Sequence, residues 1–405
     1  MSVTVPGLLG SIAEGVTLDL LDAGQALATF DGGNTDVDSV EGVENIYTAG
    51  GNDDISGNAD VNIIDTGAGN DIIDGEGGND TLIGGAGVDQ VSGGAGEDRI
   101  VLSNDSANDT YDGGGDTDTL VVDHDDAMTF DLEAGTVTGA TVGTDRITDI
   151  ENFISGNGDD TFVDAETGSA DNEYDGAGGN DTIDYSNRTV GIDVTLDGAN
   201  AANVSVGGGE NDTLRNIENV IGSQAADTII GDGEDNYLRG DDGADYIDGG
   251  AGADTVDVNL LDNASDTYIG GTGVDTLNVA PTAAAILDLD GGTITQGALA
   301  VDTYGGGFEN IIVSGAQDIT LVDDTAIVNT IDLGAGTNNT LSFAGHTLDV
   351  ELDMTAAQVD VGGTFYHQVT IDSVASDYVR GFTHVTGGQG NDIITTDAGT
   401  QILRG

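Results

Sequence analysis

Between Thr48 and Val101 an oxygen-bearing side chain returns at every ninth residue, as Asp53, Asn62, Asp71, Asp80, Asp89 and Asp98. The copies run TAGGNDDIS, GNADVNIID, TGAGNDIID, GEGGNDTLI, GGAGVDQVS and GGAGEDRIV. The acid stands at position six, glycines crowd positions one to four, and position eight is Ile55, Ile64, Ile73, Leu82, Val91 and Ile100. Carboxylates held at one register stack into a column, and such a column cannot ionise throughout without a counter-ion. Hard carboxylate oxygens beside carbonyls that glycine leaves exposed are the donor set of Ca²⁺. Transition metals want nitrogen or sulfur, and Mg²⁺ demands a small octahedral cage.

The elements that must position these acids follow from the same period. A short fixed repeat means a stacked solenoid in which each unit buries its apolar side chain against its neighbours. Glycine supplies the tight turn. The ending x-apolar-x, as in Ile72-Ile73-Asp74, suits a short strand. One nonapeptide cannot close a circuit, but two can. A coil should therefore take about eighteen residues, with strands stacked roughly 4.8 Å apart. Asp53, Asp71 and Asp89 would then line one edge and Asp80 and Asp98 the other, an arrangement repeated by Asp227 and Asp245. The predicted class is all-β. The best helix candidate, Leu8 to Ala13, is weak.

After a two-residue slip at Leu102 and Ser103 the frame gives Asp109 and Asp118, then Asp160 and Asp181. A second tract carries Asp227, Asn236, Asp245 and Asp254, followed by Asp266 and Asp275, and the last copies include Asp392. Asn62 and Asn236 replace the acid, so metal there should be weaker or missing. Between the tracts lie alternating segments such as MTFDLEAGTVTG and short anchors: Val43-Glu44-Asn45-Ile46, Ile150-Glu151-Asn152-Phe153, Ile217-Glu218-Asn219-Val220 and Phe308-Glu309-Asn310-Ile311. These spacers read as wider coils of one continuous solenoid. The expected segments are a cap and first spacer coil over 1–47, a repeat tract over 48–121, spacer coils with short repeats over 122–221, a second tract over 222–279, further spacer coils over 280–386 and terminal repeats over 387–405.

Composition bounds the partners. The chain has 75 acidic and 7 basic residues, all arginine, for a formal charge of -68. A compact body so charged repels itself unless salt screens it or metal cancels it. Nucleic acid and membrane insertion are excluded as partners on this reading, since a polyanion is repelled by both and no apolar run reaches membrane-spanning length. Without cysteine there is no disulfide frame, thiolate site or cysteine nucleophile. The start of the chain, MSVTVPGLLGSIAEG, has no basic region like that of a signal peptide.

Catalytic signatures are not found: the chain has no H-E-x-x-H and no G-x-S-x-G. His124, in VVDHDDAM, reads as part of a solvated turn. His346, His367 and His384, spaced 21 and 17 residues apart, would admit a stacked ladder. Tyr111, Phe162, Tyr174 and Tyr268 fall at position eight and read as core fillers where the coil widens, with an exposed sugar platform as the alternative.

The motif G-G-x-G-x-D-x-U-x, met in GGAGVDQVS, GGAGEDRIV, GGAGADTVD and GGTGVDTLN, resembles the RTX nonapeptide repeat. The resemblance implies a right-handed parallel β-roll with calcium between successive turns, held by aspartates and turn carbonyls. It also implies type I export and folding on contact with extracellular calcium. The family's C-terminal export signal is not visible before Gly405. The expected function is an extracellular, secreted or cell-surface calcium-binding structural protein without enzymatic activity, self-associating as a surface layer, sheath or matrix. The alternatives are a module of a large adhesin that meets a cell-surface ligand, or the non-catalytic tail of a secreted enzyme.

Overall fold

The computed structural model describes residues 16–21, 25–30, 34–38, 44–48, 50–165, 171–207, 209–289, 291–322, 330–335, 339–343, 350–353, 358–361, 364–371, 374–380, 382–387, 392–395 and 402–404. Among them every regular element is a strand, and the weak helix candidate at Leu8–Ala13 lies outside them. Two compact units emerge: Met1–Asn187 with Ala199–Asn203 and Gly209–Ile217, and Arg188–Gly198 with Val204–Gly208 and Glu218–Gly405.

The first unit realises the two-nonapeptide coil. Ile55 pairs in parallel with Ile73, and Ile73 with Val91. On the other stack Ile64 pairs with Leu82 and Leu82 with Ile100. All six side chains are buried. Removing such a side chain from water contributes about 1.5–3 kcal/mol. Each makes its contacts with the copies above and below, which is why a strict period suffices to specify the core. The second unit repeats the scheme with Val220, Leu238, Val256 and Leu277 in register on one stack, and Ile229, Ile247 and Tyr268 on the other.

The spacers differ from the wider coils expected of them. Each unit inserts an antiparallel meander: Met128–Asp131, Thr136–Gly139 and Thr144–Thr148 in the first, Ala285–Asp288, Thr293–Gln296 and Val301–Tyr304 in the second. In the first, apolar residues alternate on both sides of Glu133-Ala134-Gly135, so the two halves pair with each other, Phe130 opposite Val137. The last meander strand then rejoins the parallel ladder, bringing Ile147 beside Tyr111 and Tyr304 beside Tyr268. The anchors are themselves rungs, with Phe153 next to Leu120 and Ile311 next to Leu277.

Coil-to-coil approach is closest at the glycine corners. Gly85 has φ +91°, and a Cβ there would fall inside contact distance of the Gly67 carbonyl one coil away. Gly85→Val is therefore expected to cost at least about 2 kcal/mol, from positive φ plus collision. Gly233→Ala, where an added Cβ meets nothing within 4 Å, should be close to neutral. Thermal melts of the two variants in excess calcium check this, and equal melting temperatures would contradict it.

Candidate metal centre

Each position-six acid reaches back to the coil before its own. Asp71 Oδ1 accepts the backbone N–H of Asp53 at 2.8 Å, and Asp89 Oδ1 that of Asp71 at 2.8 Å. On the opposite edge Asp80 accepts from Asn62 at 2.7 Å and Asp98 from Asp80 at 2.8 Å. The same bond recurs where coils lengthen: Asp109 to Asp89, Asp118 to Asp98, Asp160 to Met128 and Asp181 to Asp160. In the second unit Asp227 accepts from Ile192, Asp245 from Asp227, Asp254 from Asn236, Asp266 from Asp245 and Asp275 from Asp254. Asp53 stands buried at the head of its column. Asp392 is half-buried, and a Cβ on Gly387 would collide with its Oδ2.

One oxygen is thus committed to the backbone. The second is buried as well, and Oδ2 of Asp80, Asp89, Asp98, Asp118, Asp145, Asp254 and Asp275 has no hydrogen-bond donor. A buried anionic oxygen without a partner is expensive. Position-one glycines make the space beside it. A Cβ on Gly75 would lie 2.5 Å from Asp80 Oδ2, one on Gly84 2.6 Å from Asp89 Oδ2, and one on Gly249 2.6 Å from Asp254 Oδ2. The position-one carbonyl of the next coil faces the same space: a Cβ on Gly57 would lie 2.5 Å from the Gly75 oxygen. A cradle of carboxylate and carbonyl oxygens, empty of donors, fits a hard dication. Where position one is Thr or Ser, a hydroxyl enters instead and donates to the next coil's carbonyl, as Thr66 does to Gly84 at 2.8 Å and Ser155 to Gly176 at 3.0 Å.

Burial pushes these acids up from the usual carboxylate range: Asp80 to about 7, Asp89, Asp118 and Asp254 to about 6, Asp145 to about 7 and Asp245 to about 8. The backbone N–H bond pulls each down, while stacked neighbours, such as Asp98 beside Asp80, add to the rise. Without a cation these acids bind protons more tightly than free carboxylates do.

The family model described as the RTX calcium-binding nonapeptide repeat (4 copies) matches residues 39–73, 47–82, 65–100, 221–256 and 381–405. In these stretches the chain carries RTX calcium-binding nonapeptide repeats. Its fold is the β-roll of such repeats, and the ion these repeats bind is calcium. No curated protein matches the chain.

The RTX geometry extends beyond the matched stretches and includes acids that the nine-residue frame missed. Asp145 accepts from Asp109 at 2.9 Å, Asp212 from Asn172 at 3.0 Å and Asp302 from Asp266 at 3.2 Å. Glu151 takes the N–H of Asp118 at 3.0 Å and Glu309 that of Asp275 at 2.9 Å, so anchor glutamates stand at position six. The available signal was an acid two residues before an apolar rung residue: Asp145 before Ile147, Glu151 before Phe153, Asp302 before Tyr304. The usual glycine pattern is incomplete before Asp145, Glu151 and Asp302, whereas Gly207-Gly208-Gly209 precedes Asp212 and Gly305-Gly306-Gly307 precedes Glu309. Asn62 and Asn236 turn their amide oxygens back to their own turns, onto the N–H groups of Asn58 at 2.9 Å and Asp232 at 3.0 Å.

Outside the frame, Asp164, Glu210 and Asp212 bring buried carboxylate oxygens within 4.8 Å of one another, with Tyr174 donating to Asp164 and Tyr185 to Asp212. His124 is buried rather than solvated, its Nδ1 3.7 Å from Asp126. It is enclosed because the neighbouring coil packs over its turn: a Cβ on Gly156 would collide with its carbonyl. His346 lies outside the described residues. His367 pairs with Val379 and His384 with Thr340, on different strand stacks, so these two form no ladder. The aromatic rungs are interior, with Phe130 on Phe162 at 4.9 Å and Phe153 on Tyr174 at 5.9 Å, which removes the sugar-platform alternative.

The raised carboxylates have a pH consequence. A pKa above the unfolded value of about 3.9 means the folded chain binds protons more tightly than the unfolded one. The metal-free fold should therefore gain stability as pH falls from about 8 to 5, and lose it as pH rises through the same window. Circular dichroism of exhaustively dialysed protein at three pH values in that window should show β-structure gained on acidification; β-structure lost on acidification would contradict it.

Proposed function

We propose that the chain is a secreted, non-enzymatic structural protein whose β-roll folds on calcium and which assembles with its own copies into a surface layer, sheath or matrix. The carrying observation is the ladder of buried carboxylate oxygens without donors, repeated rung after rung. Calcium supplies the charge these oxygens lack, and the residues that hold it are the position-six aspartates with the position-one carbonyls. RTX repeats are generally found in secreted proteins, and extracellular calcium is abundant enough to load such sites. The formal charge of -68 leaves acids beyond the ladder. On the surface these can take further calcium between molecules, which supports assembly over an isolated module.

Metal binding and folding are then one equilibrium. Circular dichroism in EGTA at pH 8 and low ionic strength should show an expanded chain, and millimolar calcium should convert it to β-structure. Asp71→Asn with Asp89→Asn should raise the calcium concentration at half-folding several-fold. Electron microscopy of the calcium-loaded chain should show lattices or filaments. Monodisperse particles would overturn the assembly reading, and identical spectra with and without calcium would overturn the folding reading.

A further inference from the structure

Not every rung leaves its second oxygen open: Asp227 Oδ2 accepts the N–H of Ser223 at 2.6 Å, Asp212 Oδ2 accepts the hydroxyl of Tyr185 at 3.0 Å, and two further rungs share one device. Asp109 Oδ2 accepts the hydroxyl of Tyr111 at 3.0 Å, and Asp266 Oδ2 that of Tyr268 at 2.8 Å. Each phenol oxygen in turn accepts a backbone N–H from the turn leading into its rung, from Ser103 at 3.1 Å and from Asn259 at 3.2 Å. Both rings are fully buried. The turns are twins in sequence, NDSANDTY over 104–111 and LDNASDTY over 261–268. Each carries a second aspartate bound to the preceding coil: Asp105 accepts from Gly87 at 2.6 Å, and Asp262 from Gly243 at 2.8 Å.

Both rungs also stand at the same place in the architecture. The ladder step into Asp109 spans 20 residues and the step into Asp266 spans 21, against 18 inside the tracts. The step out of each spans 36, because a meander follows. The turns into these two rungs carry Asn104 and Leu261 where the open cradles of Asp80, Asp89 and Asp254 have a position-one glycine. A position-eight tyrosine solves the same electrostatic problem from the core side: its proton meets the buried oxygen, and its lone pair takes the N–H that the lengthened turn would strand.

We propose that Tyr111 and Tyr268 close their rungs to metal, so that each unit carries one calcium-free staple at the turn before its meander. The proposal rests on the calcium reading above. At these rungs a hydrogen bond replaces the ion, and the ladder of bound calcium is interrupted there. The mark of such a rung is a position-eight tyrosine whose hydroxyl donates to the aspartate two residues before it; Tyr304, two residues after Asp302, donates to the Leu289 carbonyl instead and carries no such staple.

The test counts bound calcium on the full chain by equilibrium dialysis and atomic emission at saturating calcium, with folding checked by circular dichroism. Asp109→Asn with Asp266→Asn keeps the Oδ1 bonds and should leave the count unchanged, whereas Asp80→Asn with Asp254→Asn should lower it. Tyr111→Phe with Tyr268→Phe, tolerated by a core that already holds phenylalanine at Phe153 and Phe162, should raise the count by about one ion per freed oxygen. A wild-type chain that holds no calcium sinks the calcium reading and this inference with it. A calcium-loaded chain that loses ions with Asp109→Asn and Asp266→Asn, or gains none with the phenylalanine pair, sinks this inference alone.

Discussion

A carboxylate bound through one oxygen to the neighbouring coil, and buried through the other with nothing to meet it, is the constraint around which this β-roll is arranged. The first bond is an ordinary rung-to-rung tie: Asp71 to Asp53, Asp80 to Asn62. It fixes the stacking distance and orients the side chain. The second oxygen is then carried into a glycine-walled corner where only a proton, a hydroxyl or a cation can satisfy it. The hydrophobic ladder of Ile55, Ile73 and Val91 favours the same stacking, but it cannot discharge the acids that stacking brings together. Core and ladder are therefore coupled: the core closes the coil only if something neutralises its edges.

Several solutions to that problem coexist in the chain, one of them the backbone N–H of Ser223 on Asp227 Oδ2. Most corners leave the oxygen open beside a glycine, as at Gly75 and Asp80. Corners with Thr66 or Ser155 at position one put a hydroxyl against the facing carbonyl. The rungs of Asp109 and Asp266 use a phenol from the core. Open corners occur in the regular tracts and also at lengthened coils, as at Asp118, Asp145 and Asp275.

Much of this was legible in the residues themselves. The period gave the coil length, the two edges and the identity of the stacked acids, because each depends only on spacing. The meanders were less legible, since alternating apolar residues fit either a wider coil or a hairpin, and only the pairing of Phe130 with Val137 decides between them. Glu151 and Glu309 read as anchors rather than as rung acids, because the repeat marks that position with aspartate while the longer glutamate side chain reaches the same N–H. The second role of Tyr111 was hidden for another reason: a tyrosine at an apolar position looks like filler until its hydroxyl is located. Nor does sequence reveal that His124 is enclosed, since burial there comes from the neighbouring coil.

The most direct test of the central claim is a crystal structure grown in calcium, with anomalous differences measured to locate the ions. The account predicts density about 2.3–2.6 Å from Oδ2 of Asp80, Asp89, Asp98 and Asp254, the distance of calcium–oxygen bonds. Those same oxygens without density beside them, in a chain folded as described, would contradict it.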